Sequence, residues 1–86
     1  MSMLERWQEP FKDLPANANW IAVDSDGMCC CYIDRPVPRI ETWGRDNSHF
    51  GHYVYICFGP RPYRWTTAIR EVQPEERDGY VPTKTL

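Results

Sequence analysis

The stretch WIAVDSDGMCCCYI, residues 20–33, constrains this chain more than any other. Two short β-type runs flank Asp24-Ser25-Asp26-Gly27. Asp24 can accept a backbone hydrogen bond at the start of a turn. Ser25 and Asp26 tolerate the central positions of a type I turn, and Gly27 can take a positive φ and form a bulge. The stretch predicts a β-hairpin. Strand side chains alternate between faces. Trp20, Ala22 and Asp24 therefore share one face, and Ile21 and Val23 the other. On the return strand, Met28, Cys30 and Tyr32 oppose Cys29, Cys31 and Ile33. Both faces are apolar, so the ribbon is expected to be covered on both sides, by a second layer or by a partner chain.

The rest of the chain supplies further β elements and breaks. Residues 1–19 hold a short amphipathic stretch, with Ser2 as cap and Glu5 three residues later, which suits a helical turn over residues 2–7. Pro10 and Pro15 stop anything longer, so residues 1–16 read as a loosely packed N-terminal segment. Pro36 and Pro38 favour an extended connection outside any ladder. Residues 40–43 are a short strand candidate, and residues 44–51, GRDNSHFG, an exposed loop. Residues 53–58, YVYICF, make the clearest single strand. Tyr53, Tyr55 and Cys57 would lie on one face and Val54, Ile56 and Phe58 on the other, a pattern that predicts a central position. In residues 63–72, Trp65, Ile69 and Val72 are spaced for a helical turn, whereas Thr66 and Thr67 suit a strand. The spacing favours a short helix over residues 65–70. Residues 73–86 read as a mobile tail.

A chain of 86 residues makes one domain with a modest core, for which oligomerisation is a usual supplement. The expected fold is mainly β (small α+β): an antiparallel meander of about four strands, partly curled, with one or two short helical turns. A homodimer would cover the apolar faces. The net charge of −2 gives no drive toward nucleic acid or anionic membrane, so nucleic-acid binding is disfavoured. No apolar run approaches the ~20 residues of a membrane span. The N-terminus lacks a basic start followed by an apolar stretch, and the expected location is cytoplasmic.

Candidate chemistry is sparse. Asp24-x-Asp26-Gly27 opens like a calcium loop, but Met28, Cys29 and Arg35 stand where the loop needs an oxygen ligand, a glycine and a glutamate. Cys29, Cys31, Cys57, His49 and His52 are zinc-ligand types without finger or ribbon spacing; the simpler reading is buried thiols and exposed loop histidines. Three consecutive cysteines in a strand look like packing rather than a nucleophile, and adjacent strand positions do not bridge. No catalytic residue, metal or cofactor is expected. Arg61, Tyr63, Arg64, Trp65 and Arg70 form a basic-aromatic patch that could stack a base, pair a phosphate or anchor a protein. The alternative is a solvated face with Trp65 in the core. Arg35 and Arg39 with Trp43 make a weaker second patch. The acidic residues Glu71, Glu75, Glu76 and Asp78 read as soluble tail.

Asn19-Trp20-Ile21-Ala22, Asp24-Ser25-Asp26-Gly27, Tyr32, Pro36, Trp43, Trp65 and Ile69-Arg70-Glu71-Val72 together resemble a group of short open reading frames in tailed-phage and prophage genomes. The resemblance spans residues 17–72, and the tryptophan-to-DxDG hairpin is its most specific part. The Cys29–Cys31 run departs from the pattern. The resemblance implies an intracellular phage accessory protein, a kind that acts by binding a host component, defence systems included, rather than by catalysis. The expected function is thus a non-enzymatic protein that binds and modulates a host protein, with contacts from Trp43, His49, Arg61, Tyr63, Arg64 and Trp65. The alternative is a small-ligand protein that sequesters a nucleotide signal by aromatic stacking and arginine pairing.

Overall fold

The computed structural model describes residues 6–44 and 53–80. Its strands are β1 (Trp20–Val23), β2 (Met28–Tyr32), β3 (Val37–Pro38), β4 (Trp43–Gly44), β5 (Tyr53–Phe58) and β6 (Ile69–Glu71). Single 3-10 turns form at Arg6–Gln8, Trp65–Thr67 and Pro74–Glu76. The main sheet has four strands in the order β5-β2-β1-β6, and β3 pairs with β4 in a separate ribbon. All pairings between these strands are antiparallel. The class read from sequence, mainly β with four antiparallel strands and short helical turns, is the one observed. Within it, β1, β2 and β5 run as a meander while β6 returns beside β1, which gives a Greek-key order and leaves the sheet open.

The hairpin turn forms as its residues dictate. Asp24 N–H donates to Met28 O and Gly27 N–H to Asp24 O, both at 2.9 Å. Asp26 Oδ1 accepts from Met28 N–H at 2.9 Å. Gly27 has φ +96°, and a Cβ there would also run into the carbonyl of Gly59. Glycine is therefore required both by conformation and by the close approach of a second backbone.

Both faces of the hairpin are buried by this chain alone. On the back face, Ile21, Val23, Cys29 and Cys31 pack with Trp7, Leu14, Ala18, Ala68 and Val72. On the front face, Ala22, Cys30 and Tyr32 pack with Trp43, flanked by Trp20, Met28, Trp65 and Ile69. Covering these faces needs no second copy.

Several expectations are corrected. The described part of the N-terminal segment, residues 6–16, is not loose: Trp7 and Leu14 are buried and lie over the back of the sheet. The 3-10 turn sits at Arg6–Gln8, and most of the stretch expected to be helical lies outside the described residues. The start of the expected tail is anchored, because Glu76 N–H and C=O bond neighbouring backbone and Leu14 bridges Arg77 in parallel. Glu76 itself is 0 % exposed. Val37–Pro38 does enter a ladder, with Gly44 and Trp43, since a two-residue edge ribbon makes few demands on the missing proline N–H. Ile40, expected in a strand, is exposed in the turn between them.

Strand β5 is an edge, not a central strand. Its side-chain phase is also shifted. Cys29 faces Cys57 but Cys30 faces Tyr55, so Ile56 is an extra bulge residue. Tyr55 and Phe58 consequently share the front face, while Ile56 and Cys57 pack on the back core. In residues 63–72 both local preferences are realised in turn: a 3-10 turn at Trp65–Thr67, then strand β6.

Candidate functional site

The residues expected to make contacts separate into two groups. Trp43 is buried: its backbone N–H donates to Asp24 Oδ1 and its indole Nε1–H to Val23 O, both at 2.8 Å. It meets Trp65 edge-to-face with ring centroids 5.8 Å apart. Trp43 is therefore buried and roofs the front of the sheet, and half-buried Trp65 packs against the same cluster. Arg61, Tyr63 and Arg64 are exposed. Tyr63 is 91 % exposed, with the Arg64 guanidinium 5.9 Å from its ring centroid. The turn beneath them is tied by Thr67, whose N–H and Oγ1 both donate to Arg64 O. His49 lies outside the described residues, as does His52.

Arg70 is not part of a surface patch. Its guanidinium pairs with both carboxylate oxygens of Glu76 at 2.7 Å and also donates to Trp7 O at 2.9 Å. Glu76 accepts further bonds from Phe11 N–H at 2.7 Å and Gln73 N–H at 2.8 Å. Burial acts to raise the Glu76 pKa, but the Arg70 hydrogen bonds and the two backbone donors outweigh it and hold the carboxyl below its usual range. The acidic stretch read as soluble tail thus contains a buried ionic anchor. In the second patch, Arg35 sits 4.7 Å over the Trp20 ring.

The structure adds two surface residues that alternation concealed. Tyr55 and Phe58 are 50 % and 56 % exposed, and their rings pack 5.9 Å apart on the front face of β5. The bulge at Ile56 brings them together, and no sequence signal marked it. They lie opposite Cys30 and Met28, which border a pocket of about 230 Å³ with Asp24, Tyr32, Thr42 and Trp43. A second pocket, of about 180 Å³, is lined by Trp7, Gln8, Tyr63, Arg64, Thr67 and Ala68.

The cysteines are free thiols, and Cys29, Cys30 and Cys31 are buried. Burial raises the pKa of all three, with Cys30 pushed up to about 12. Such groups pack as small hydrophobes and are not activated nucleophiles. Among the described residues no group of three His, Cys, Asp or Glu side chains is placed to hold a metal. None of their helices is long and apolar enough to cross a membrane. The chain matches no protein-family model, no curated protein and no solved structure.

Proposed function

We propose that this chain is a non-enzymatic accessory protein of the tailed-phage type, working in the host cytoplasm by binding and modulating a host protein, a defence component being the kind of target that fits. The observation that carries this reading is the pair Tyr55 and Phe58, half-exposed and packed together on an uncharged edge strand. Adjacent exposed aromatics are the anchors around which protein interfaces form. The stretch that continues from them adds Arg61, Tyr63 and Arg64, again residue types enriched at interfaces.

Size argues for a protein partner over a nucleotide. Three pockets lined by described residues measure about 180 to 250 Å³, each below the roughly 300–1,000 Å³ of sites that enclose a drug-sized ligand.

The test is capture of partners from host lysate by tagged protein, with nuclease present. Wild type is expected to retain one stoichiometric protein, and Phe58→Ala or Tyr63→Ala to lose at least tenfold of it while remaining folded. Undiminished capture by both variants overturns the reading. A nucleotide released from purified, denatured protein favours the small-ligand alternative instead.

A further inference from the structure

The pocket beside Tyr55 and Phe58 has a chemistry of its own. It lies between Met28, Cys30 and Tyr32 of β2 and Thr42 and Trp43 at the ribbon, with Asp24 in its wall. Its volume of about 230 Å³ suits one side chain rather than a whole small molecule. Asp24 is only 7 % exposed. Its Oδ1 accepts from Trp43 N–H, whereas Oδ2 accepts no hydrogen bond and meets no cation among the described residues. No fully buried side-chain oxygen there lacks a partner, so Oδ2 is the accessible atom of a carboxylate otherwise enclosed.

The electrostatics agree. Burial raises the Asp24 pKa, and the charge of neighbouring Asp26 raises it further, against the lowering effect of the Trp43 N–H. The Cys30 thiol, also in the pocket, is pushed up by burial and then by the charges of Asp24 and Asp26. The pocket is therefore negative, and among the described residues its carboxylate has no counter-charge, a costly arrangement that a bound cation would relieve. Tyr32 and Trp43 supply aromatic walls, which attract cations through their ring quadrupoles.

We propose that this pocket receives a single lysine or arginine side chain of the partner protein, with Asp24 as its counter-ion, Tyr32 and Trp43 as its walls, and Tyr55 and Phe58 as the apolar rim that excludes water. This deepens the docking reading above and rests on it for the identity of the guest. A free metal ion is a poorer occupant, because only one carboxylate oxygen is available there.

The test uses blocked amino acids as probes: N-acetyl-arginine and N-acetyl-lysine methylamides, with the norleucine analogue as neutral control, followed by NMR on the whole chain. The cationic probes are expected to shift the Trp43 indole N–H and the Met28 methyl at concentrations at least tenfold lower than the control. Asp24→Asn keeps an acceptor for Trp43 N–H and is expected to abolish that preference. Met28→Lys places a cation in the pocket from within the chain and is expected to block the probes; it also serves if Asp24→Asn fails to fold. Equal shifts from norleucine, no shift at Trp43, or undiminished probe binding by folded Asp24→Asn or Met28→Lys overturns the proposal. If Phe58→Ala loses host-protein capture while the cationic probes leave Trp43 unmoved, docking stands and the pocket assignment falls. If the probes behave as expected but no host protein is captured, the pocket stands and the docking reading falls.

Discussion

Two residues of the hairpin turn show how much a single position can carry. Gly27 needs a positive φ and has the Gly59 carbonyl where a Cβ would sit. Gly27→Ala is expected to cost on the order of 2 kcal/mol or more, combining backbone strain with a clash against backbone; urea unfolding measures it. Asp24 is tuned the opposite way. Its native carboxyl holds a proton more tightly than the unfolded chain does. Its titration therefore adds stability below the ordinary aspartate range and loses it as pH rises through the raised native value. Asp24→Asn removes this pH dependence while keeping an acceptor for Trp43 N–H. At pH 7 it is expected to be at least as stable as wild type in thermal unfolding, and a marked loss would show that the charge itself is needed.

At the scale of elements, the β3–β4 ribbon is held onto the sheet by Trp43 and β5 is built to present side chains outward. Trp43→Ala removes a buried ring and its indole bond to Val23 O, while the backbone N–H that bonds Asp24 is kept. A cost of about 3–5 kcal/mol is expected for emptying such a site, read by denaturant unfolding. Phe58→Ala, on a half-exposed ring, is expected to cost under about 1 kcal/mol, since surface changes away from caps and networks stay small. The contrast separates the two aromatics by role: one roofs the core, the other is free to meet a partner.

The whole molecule is fastened by Glu76. Its carboxylate joins Phe11 of the N-terminal segment, Arg70 of β6 and Gln73 at the start of the last turn. Arg77 adds bonds to Ala18 O and Asn19 Oδ1. Arg70→Ala would leave the carboxylate buried without its partner, at an expected cost of about 3 kcal/mol, a large share of the roughly 5–15 kcal/mol that stabilises a domain. Because the native Glu76 pKa is depressed, its contribution is present above the ordinary glutamate value and lost as pH falls through the native one. Stability is thus expected to decline on the acid side of about pH 4.3, and Glu76→Gln to flatten that decline relative to wild type in chemical denaturation at stepped pH.

The sequence by itself determined the hairpin, its turn and the apolar character of both its faces, because those depend on residues next to one another. Alternation over residues 20–33 and the chemistry of Asp24-Ser25-Asp26-Gly27 leave little choice. It also marked residues 53–58 as a strand and Tyr63 and Arg64 as surface. Only the tertiary structure decided what covers the two faces, since that depends on where distant segments return. Trp7 and Leu14 lie beyond prolines that look like an end of order, and the buried pairing of Arg70 with Glu76 has no local signature to distinguish it from solvated charge. The edge position of β5 and the phase shift at Ile56 follow from register with β2, a long-range property. That register sets Tyr55 and Phe58 side by side next to the Asp24 pocket, so the candidate site is a product of pairing rather than of any motif.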